Sequence, residues 1–230
     1  MMRTELGRNQ SLAAPPPEPP SRVWIFDLDD TLHDASAHIF PHISRSMTAY
    51  LAEHLQLAED DASKLRVQYR QRYGATLLGM MRHHDTDPHH FLWHTHQFPD
   101  LSPMVVAERG LRHALQRLRG RKIVFSNAPQ RYAEDVLSIM GVRDLFDHVC
   151  SIERMRFRPK PAIQGFLRLL RAHRLKAAHC VMVEDSIENL RTAKALGMKT
   201  VWVSRAPRCP AYVDLRIESV LDLPRLMGRL

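Results

Sequence analysis

Val23-Trp24-Ile25-Phe26-Asp27-Leu28-Asp29-Asp30-Thr31-Leu32 is the stretch that decides the fold. Four apolar residues follow one another with no polar alternation, the pattern of a short strand buried on both faces of a parallel sheet. The run stops at Asp27, and three carboxylates fall within four positions. Gathering them costs repulsion and desolvation unless a cation sits among them. The carboxyl end of a buried parallel strand is also where open α/β sheets keep their sites. A metal-assisted carboxylate site is the first expectation. The competing reading makes Asp30 or Thr31 the N-cap of a helix and leaves the other acids solvated. A helix-loop-helix calcium loop fits poorly, because its glycine and late glutamate are missing and a strand precedes it.

Working outward, 230 residues suffice for one large domain, or for a core domain with a smaller insertion. A hydrophobic share of 44% with 25% charged residues marks an ordinary globular chain rather than a disordered one. The formal charge of +8 favours anionic partners without choosing among them. Cys150, Cys180 and Cys209 are odd in number and widely spaced, with no Cys-x-x-Cys pair. That argues against a disulfide framework or a zinc ribbon and suits a reducing, cytoplasmic setting. No apolar run is long enough to span a bilayer, and the N-terminus lacks a secretory h-region, so neither membrane nor export is expected. Residues 1–21 carry the cluster Pro15-Pro16-Pro17-Glu18-Pro19-Pro20 and read as a disordered, proline-rich tail.

After the acidic loop, Ile39, Phe40, Ile43, Met47, Tyr50, Leu51 and Leu55 recur at three- and four-residue intervals, one face of a helix. Leu65, Tyr69 and Tyr73 continue a second helix begun near Glu59. Leu77, Leu78 and Met81 mark a third, and Pro88 to His96 a fourth, with Pro88 suited to a first turn. Some seventy helical residues far exceed an ordinary βα crossover and predict an inserted cap. From about Val105 strand and helix alternate. A helix carrying Leu111, Leu115 and Leu118 is expected to end at Gly120. Strands follow at Lys122–Phe125, Val149–Ile152, Cys180–Val183 and Thr200–Val203, with helices through Met140, over Pro161–His173 and over Ser186–Leu196. An edge strand at Asp214–Ile217 and a last helix over Leu221–Met227 complete a three-layer, doubly wound parallel α/β sheet. The expected organisation is a tail over 1–21, a Rossmann-like core over 22–33 and 105–230, and a helical cap over 34–104.

Three further polar groups fall at strand ends of that sheet: Ser126-Asn127, Glu184-Asp185, and Lys160 in a basic loop. Each alone has an ordinary explanation as a helix cap or a solvated charge. Together at the carboxyl ends of one parallel sheet they point to a site.

With Asp27-Leu28-Asp29-Asp30-Thr31, Ser126-Asn127, Lys160 and Glu184-Asp185 in this order, the chain resembles the haloacid-dehalogenase-like (HAD) hydrolases from about Val23 to Leu226. The resemblance implies a phosphoryl-transfer enzyme. Asp27 would be the nucleophile forming an aspartyl-phosphate, and Asp29 the general acid and then base. Thr31, Ser126, Asn127 and Lys160 would bind phosphate. Asp27, the Asp29 carbonyl and Asp185 would hold Mg²⁺, with Glu184 a direct ligand or a group behind one. Dehalogenases of this superfamily lack an aspartate at the position of Asp29, so dehalogenation is not expected.

Within the superfamily the chain is most similar to the pyrimidine 5′-nucleotidase branch. The residues that carry this are Phe26 to Asp34, Tyr73 to Met81, Asp87 to Leu92, Ser126-Asn127-Ala128 and Val201-Trp202-Val203. That similarity implies UMP or CMP as substrate, a nucleoside monophosphate being the expected partner. Departures are Ala162 after Lys160-Pro161, where a second proline is common, and Glu184, where aspartate is common. The alternatives are a phosphatase of sugar phosphates or other small metabolites, or a phosphomutase. The cap histidines His83, His84, His89, His90, His94 and His96 include an i, i+4 pair, His90 and His94, which raises zinc; with no thiolate nearby, substrate contact or plain surface positions are the stronger reading. Arg109, Arg112, Arg117, Arg119, Arg121 and Lys122 raise nucleic-acid binding, but interleaved aromatics and a binding motif are lacking, so nucleic acid is not an expected partner.

Overall fold

The computed structural model describes residues 22–230; the proline-rich tail expected over 1–21 lies outside the described residues. Six strands form one parallel sheet: β1 Val23–Phe26, β2 Arg121–Phe125, β3 His148–Cys150, β4 Cys180–Glu184, β5 Lys199–Val203 and β6 Leu215–Ile217. Their order is β3-β2-β1-β4-β5-β6. The chain builds outward from β1 on one side, then returns to lay β4 against its other side. That reversal opens a crevice at the carboxyl end of β1, where ligands of open α/β sheets bind. In register, Phe26 lies opposite both Val124 and Val183. The ladder runs one step further, with the Asp27 N–H donating to the Val183 carbonyl at 2.9 Å.

The uninterrupted apolar reading of β1 has its cause in burial on both faces. Trp24 and Phe26 join one apolar cluster with Leu111 and Leu115 of α5 (Leu111–Arg117), Val136 and Leu137 of α6 (Gln130–Ile139) and Leu223 of the short α9 (Leu223–Leu226). Ile25 faces the opposite way, into a cluster with Phe166 and Leu169 of α7 (Ile163–Ala172) and Leu190 of α8 (Ile187–Ala195). Helices on both faces make the three layers. At about 25 cal/mol per Å² of apolar area, each fully buried Phe or Ile contributes on the order of 1.5–3 kcal/mol.

Between β1 and α5 lie the four inserted helices, α1 Ile39–Leu55, α2 Glu59–Tyr73, α3 Thr76–His84 and α4 Pro88–Thr95. The last begins as the sequence suggests: Asp87 is the N-cap, its carboxylate accepting from the His89 and His90 N–H groups, and Pro88 fills the first turn. Helices α2 and α3 approach so closely that a Cβ on Gly79 would lie 2.2 Å from the Tyr69 ring.

Some boundaries differ from expectation. α5 stops at Arg117, and Gly120 stands beyond it at φ +101°, where a Cβ would meet the Arg22 carbonyl at 2.0 Å. Glycine there permits a tight reversal against the start of β1 rather than a helix cap. The last helix is four residues flanked by 3₁₀ turns, because Pro224 sits within a stretch too short to propagate. No helix begins at Asp30 or Thr31. Asp30, at φ +59°, braces the loop instead, accepting from the Ala35 and Ser36 N–H groups and the Ser36 hydroxyl. Among the described residues no helix is long and apolar enough to cross a membrane, and the cysteines are free.

Candidate active site

The carboxyl ends of β1, β2 and β4 and the loop before α7 bring the four predicted motifs together. Lys160 lies at the centre. Its Nζ donates to Asp27 Oδ1 at 2.6 Å and to Glu184 Oε2 at 2.7 Å, with the ammonium side chain 1% exposed. The Lys160 backbone is clamped to Asn127 in both directions: its N–H donates to Asn127 Oδ1 and its carbonyl accepts from Asn127 Nδ2. Asn127 thereby ties the end of β2 to the loop that presents the lysine. Glu184 is also fully buried, and its second oxygen accepts from the Ser186 N–H at 3.3 Å.

Asp27, Glu184 and Asp185 each turn a carboxylate oxygen to a common point, those atoms lying within 4.8 Å of one another. An all-oxygen, acidic donor set of this kind suits a hard divalent cation such as Mg²⁺. Among the described residues it is the only group of three or more side chains so disposed. Asp185 is oriented by the Thr31 hydroxyl, 3.4 Å from its Oδ1, and its carbonyl accepts from the Trp202 indole at 2.8 Å. Ser126, buried at the end of β2, accepts from the Ala128 N–H through Oγ at 3.0 Å. Asn189 is buried on α8.

Electrostatics follow from this crowding. Burial first, then the neighbouring Glu184 charge, push Asp27 up to about 8 against the opposing pull of Lys160. Asp185 is raised to about 6, chiefly by burial and then by Asp27. Glu184 is raised as well, again mainly by burial. Two carboxylates outnumber the single ammonium between them, so the pocket has room for further positive charge.

Asp29 lies in a different setting. Its Oδ1 accepts from the Tyr132 hydroxyl of α6 at 2.6 Å and lies 3.0 Å from His33 Nε2. Burial, followed by the Asp29 charge, holds the Tyr132 hydroxyl far above its ordinary value, so it remains a donor. Tyr132 stacks on Phe98 and meets the edge of His96. These rings line a cleft of about 460 Å³ between α4 and α6, with Trp93, Gln97 and Arg131 at its walls.

Tyr132 escaped the sequence reading, and His33 was noted without a role. One signal was available: Tyr132 shares the apolar face of α6 with Ala133, Val136 and Leu137, and a buried tyrosine hydroxyl requires a partner. The cap histidines are largely committed to tyrosines. Hydroxyls of Tyr50, Tyr69 and Tyr73 pair with His90, His84 and His83. The His90 and His94 rings lie 4.3 Å apart between centroids, tilted by 43°. In the basic cluster, Arg112 forms a bidentate pair with Asp144 at 2.6 and 2.7 Å.

Comparison with known proteins agrees with this geometry. Residues 22–197 match the family model of haloacid dehalogenase-like hydrolases. Phosphate metabolism protein 8 of Saccharomyces cerevisiae is 26% identical over 200 residues, 80% of this chain and 62% of that protein. Hexitol phosphatase B of Escherichia coli is 29% identical over 102 residues, 43% of this chain and 46% of that protein. The chain thus spans less than two thirds of the length of these curated relatives. A HAD phosphatase from Thermococcus onnurineus superposes with a TM-score of 0.64 at 20% identity, over 90% of this chain and 98% of its own, which shows a common fold. None of the three is described as a nucleotidase.

Proposed function

The chain belongs to the haloacid dehalogenase-like hydrolases, and from that premise we propose that it is a Mg²⁺-dependent phosphomonoester hydrolase working through an aspartyl-phosphate. The observation that carries the proposal is the Lys160 ammonium held between Asp27 and Glu184 beside the Asp185 carboxylate, in a pocket at the switch point of the sheet. Such a pocket pairs a nucleophile with the positive charge that an incoming phosphate dianion requires.

Asp27 attacks phosphorus through one carboxylate oxygen, and Asp29 gives a proton to the departing alcohol, then takes one from the water that cleaves the acyl phosphate. Lys160 offsets repulsion between Asp27 and the phosphoryl oxygens. The Ser126 hydroxyl, the Asn127 N–H and Thr31 line the phosphate's seat and donate to oxygens whose charge redistributes during transfer. Asp27, the Asp29 carbonyl and Asp185 would hold Mg²⁺. Glu184, with one oxygen on Lys160 and the other on the Ser186 N–H, acts chiefly by aiming the lysine. When bound, the cation neutralises the phosphate and the raised carboxylates together.

For the leaving group, a sugar or polyol phosphate has the support of the relative named as a hexitol phosphatase. A pyrimidine nucleoside monophosphate is the second reading. It is favoured by the cap segments that resemble pyrimidine 5′-nucleotidases and by the aromatic cleft beside Tyr132, whose rings suit a planar base.

Phosphate release from UMP, CMP, glucose 6-phosphate and sorbitol 6-phosphate, with and without Mg²⁺, tests the assignment in wild type and Asp27→Asn. Mg²⁺-dependent release that Asp27→Asn reduces by about 10³-fold or more is expected. Preference within the panel then chooses the leaving group. An active Asp27→Asn would refute the nucleophile.

A further inference from the structure

Asp29 is gripped on one oxygen only. Tyr132, 103 residues along the chain, and His33, four residues along, both reach Oδ1, while Oδ2 accepts no hydrogen bond among the described residues. Both gripping side chains are almost wholly buried. The Tyr132 hydroxyl has Asp29 as its hydrogen-bond partner. Among the described residues His33 Nδ1 is buried without a partner, and the ring's one polar contact there is from Nε2 to Asp29. Leaving one nitrogen of a buried imidazole unpartnered is destabilising. A role confined to filling space would be served at lower cost by an apolar side chain. The local turn, in which the Leu32 N–H donates to the Leu28 carbonyl at 2.9 Å, is what folds His33 back onto Asp29.

We propose that Tyr132 and His33 are positioning residues that pin Oδ1 of Asp29 and thereby dedicate Oδ2 to the leaving oxygen and then to the attacking water. The proposal rests on the phosphatase reading above. With the His33 proton on Nε2, a proton on Oδ1 would face two donor hydrogens, so the transferable proton belongs on Oδ2. As the Asp27 oxygen bonds to phosphorus, the phosphorus–oxygen bond to the alcohol breaks. The bonding pair goes to the alcohol oxygen, which takes the proton from Oδ2. Rotation of the carboxyl about its Cβ–Cγ bond would carry that proton away from the reaction line, and two donors on the far oxygen oppose the rotation.

The test compares kcat/KM for p-nitrophenyl phosphate, whose leaving anion needs no proton, with kcat/KM for the panel's best alkyl phosphate, whose leaving group does. This constant covers events up to departure of the alcohol and excludes the later hydrolysis, in which Asp29 also acts. For Tyr132→Phe and for His33→Leu, a fall of roughly tenfold or more is expected on the alkyl ester and less than about threefold on the aryl ester, general acid catalysis as a whole being worth about 10²–10⁴. His33→Gln, which keeps a donor, should recover most of the ratio. The ratio of the two constants is independent of the folded fraction, so a poorly folding variant still reports. Equal losses on both esters, or none on either, would overturn the positioning role while leaving the phosphatase standing. A wild type inert toward every ester would overturn both.

Discussion

The two flanks of Asp27 are built on opposite principles. Toward β4 the pocket is ionic: three carboxylates crowd a single buried ammonium, and their neutrality is incomplete. Toward α6 it is hydrogen-bonded: one carboxylate is held by a phenol and an imidazole, with aromatic rings behind them. The first arrangement favours added positive charge, so in the proposed reaction it takes the phosphate and the cation. The second orients one carboxylate through hydrogen bonds to a single oxygen, so in the proposed reaction it serves proton transfer. With Asp27 as the proposed nucleophile, an ionic wall on one side and a hydrogen-bonded wall on the other would let electrostatic stabilisation and acid–base work proceed without either compromising the other.

The largest break in that contrast comes from Lys160→Met. Its methylene stem is replaced and its charge removed, leaving Asp27 and Glu184 buried side by side. Breaking a buried ion pair on one side costs about 3–5 kcal/mol. Urea unfolding at pH 7 should register a loss of that order. The loss should shrink toward pH 5, where protonation relieves the orphaned acids. A loss below about 1 kcal/mol at pH 7 would mean that the ammonium is not what holds these carboxylates in place.

A second break uses pH and metal. Asp27 and Asp185 are raised in the folded protein to about 8 and about 6. A carboxylate raised on folding contributes stability that is fully present below its unfolded value and is lost as pH rises through the folded value. In EDTA, the unfolding midpoint should therefore fall between about pH 5 and pH 8.5. Mg²⁺ binds the ionised form, so its stabilising effect should grow over the same interval. A Mg²⁺-induced shift of equal size at both ends would remove the ionic wall from the metal's site.

These two walls also differ in how far the sequence reveals them. Asp27, Lys160, Glu184 and Asp185 each sit at a strand end or a punctuated loop, and the strands declare themselves as unbroken apolar runs; placing those ends together needs only the parallel topology. The hydrogen-bonded wall depends on the rotation of α6 about its axis and on a turn that doubles His33 back on Asp29. Neither leaves a polar signature, because Tyr132 reads as one more member of an apolar stripe. The cap occupies a middle position. Its helices follow from three- and four-residue periodicity, but the pairing of His83, His84 and His90 with tyrosines from other helices depends on interhelical packing that periodicity does not encode. Gly120 teaches the same lesson on a small scale: a glycine after a helix pattern suggests a cap, whereas here it answers to the Arg22 carbonyl across the sheet.

The smallest effect belongs to His96, which backs the hydrogen-bonded wall against Tyr132. Burial lowers its imidazole to about 4, with the Leu92 carbonyl and the Asp29 charge pulling the other way. The sign is opposite to that of the ionic wall. A histidine lowered on folding contributes stability that is present above its unfolded value of about 6.5 and lost as pH falls toward 4. His96→Asn keeps a donor for the Leu92 carbonyl, which Nδ1 approaches at 3.1 Å, and removes the titration. At pH 7 the variant should be slightly less stable than wild type, having lost a ring contact. Between pH 6.5 and pH 4 the gap should close or reverse, while the Mg²⁺ response at pH 8 stays as in wild type. Parallel stability curves across that acid interval would show that His96 is already charged in the folded protein. The wall behind Asp29 would then be ionic too, and the division of labour around Asp27 would have to rest on the direction of its hydrogen bonds alone.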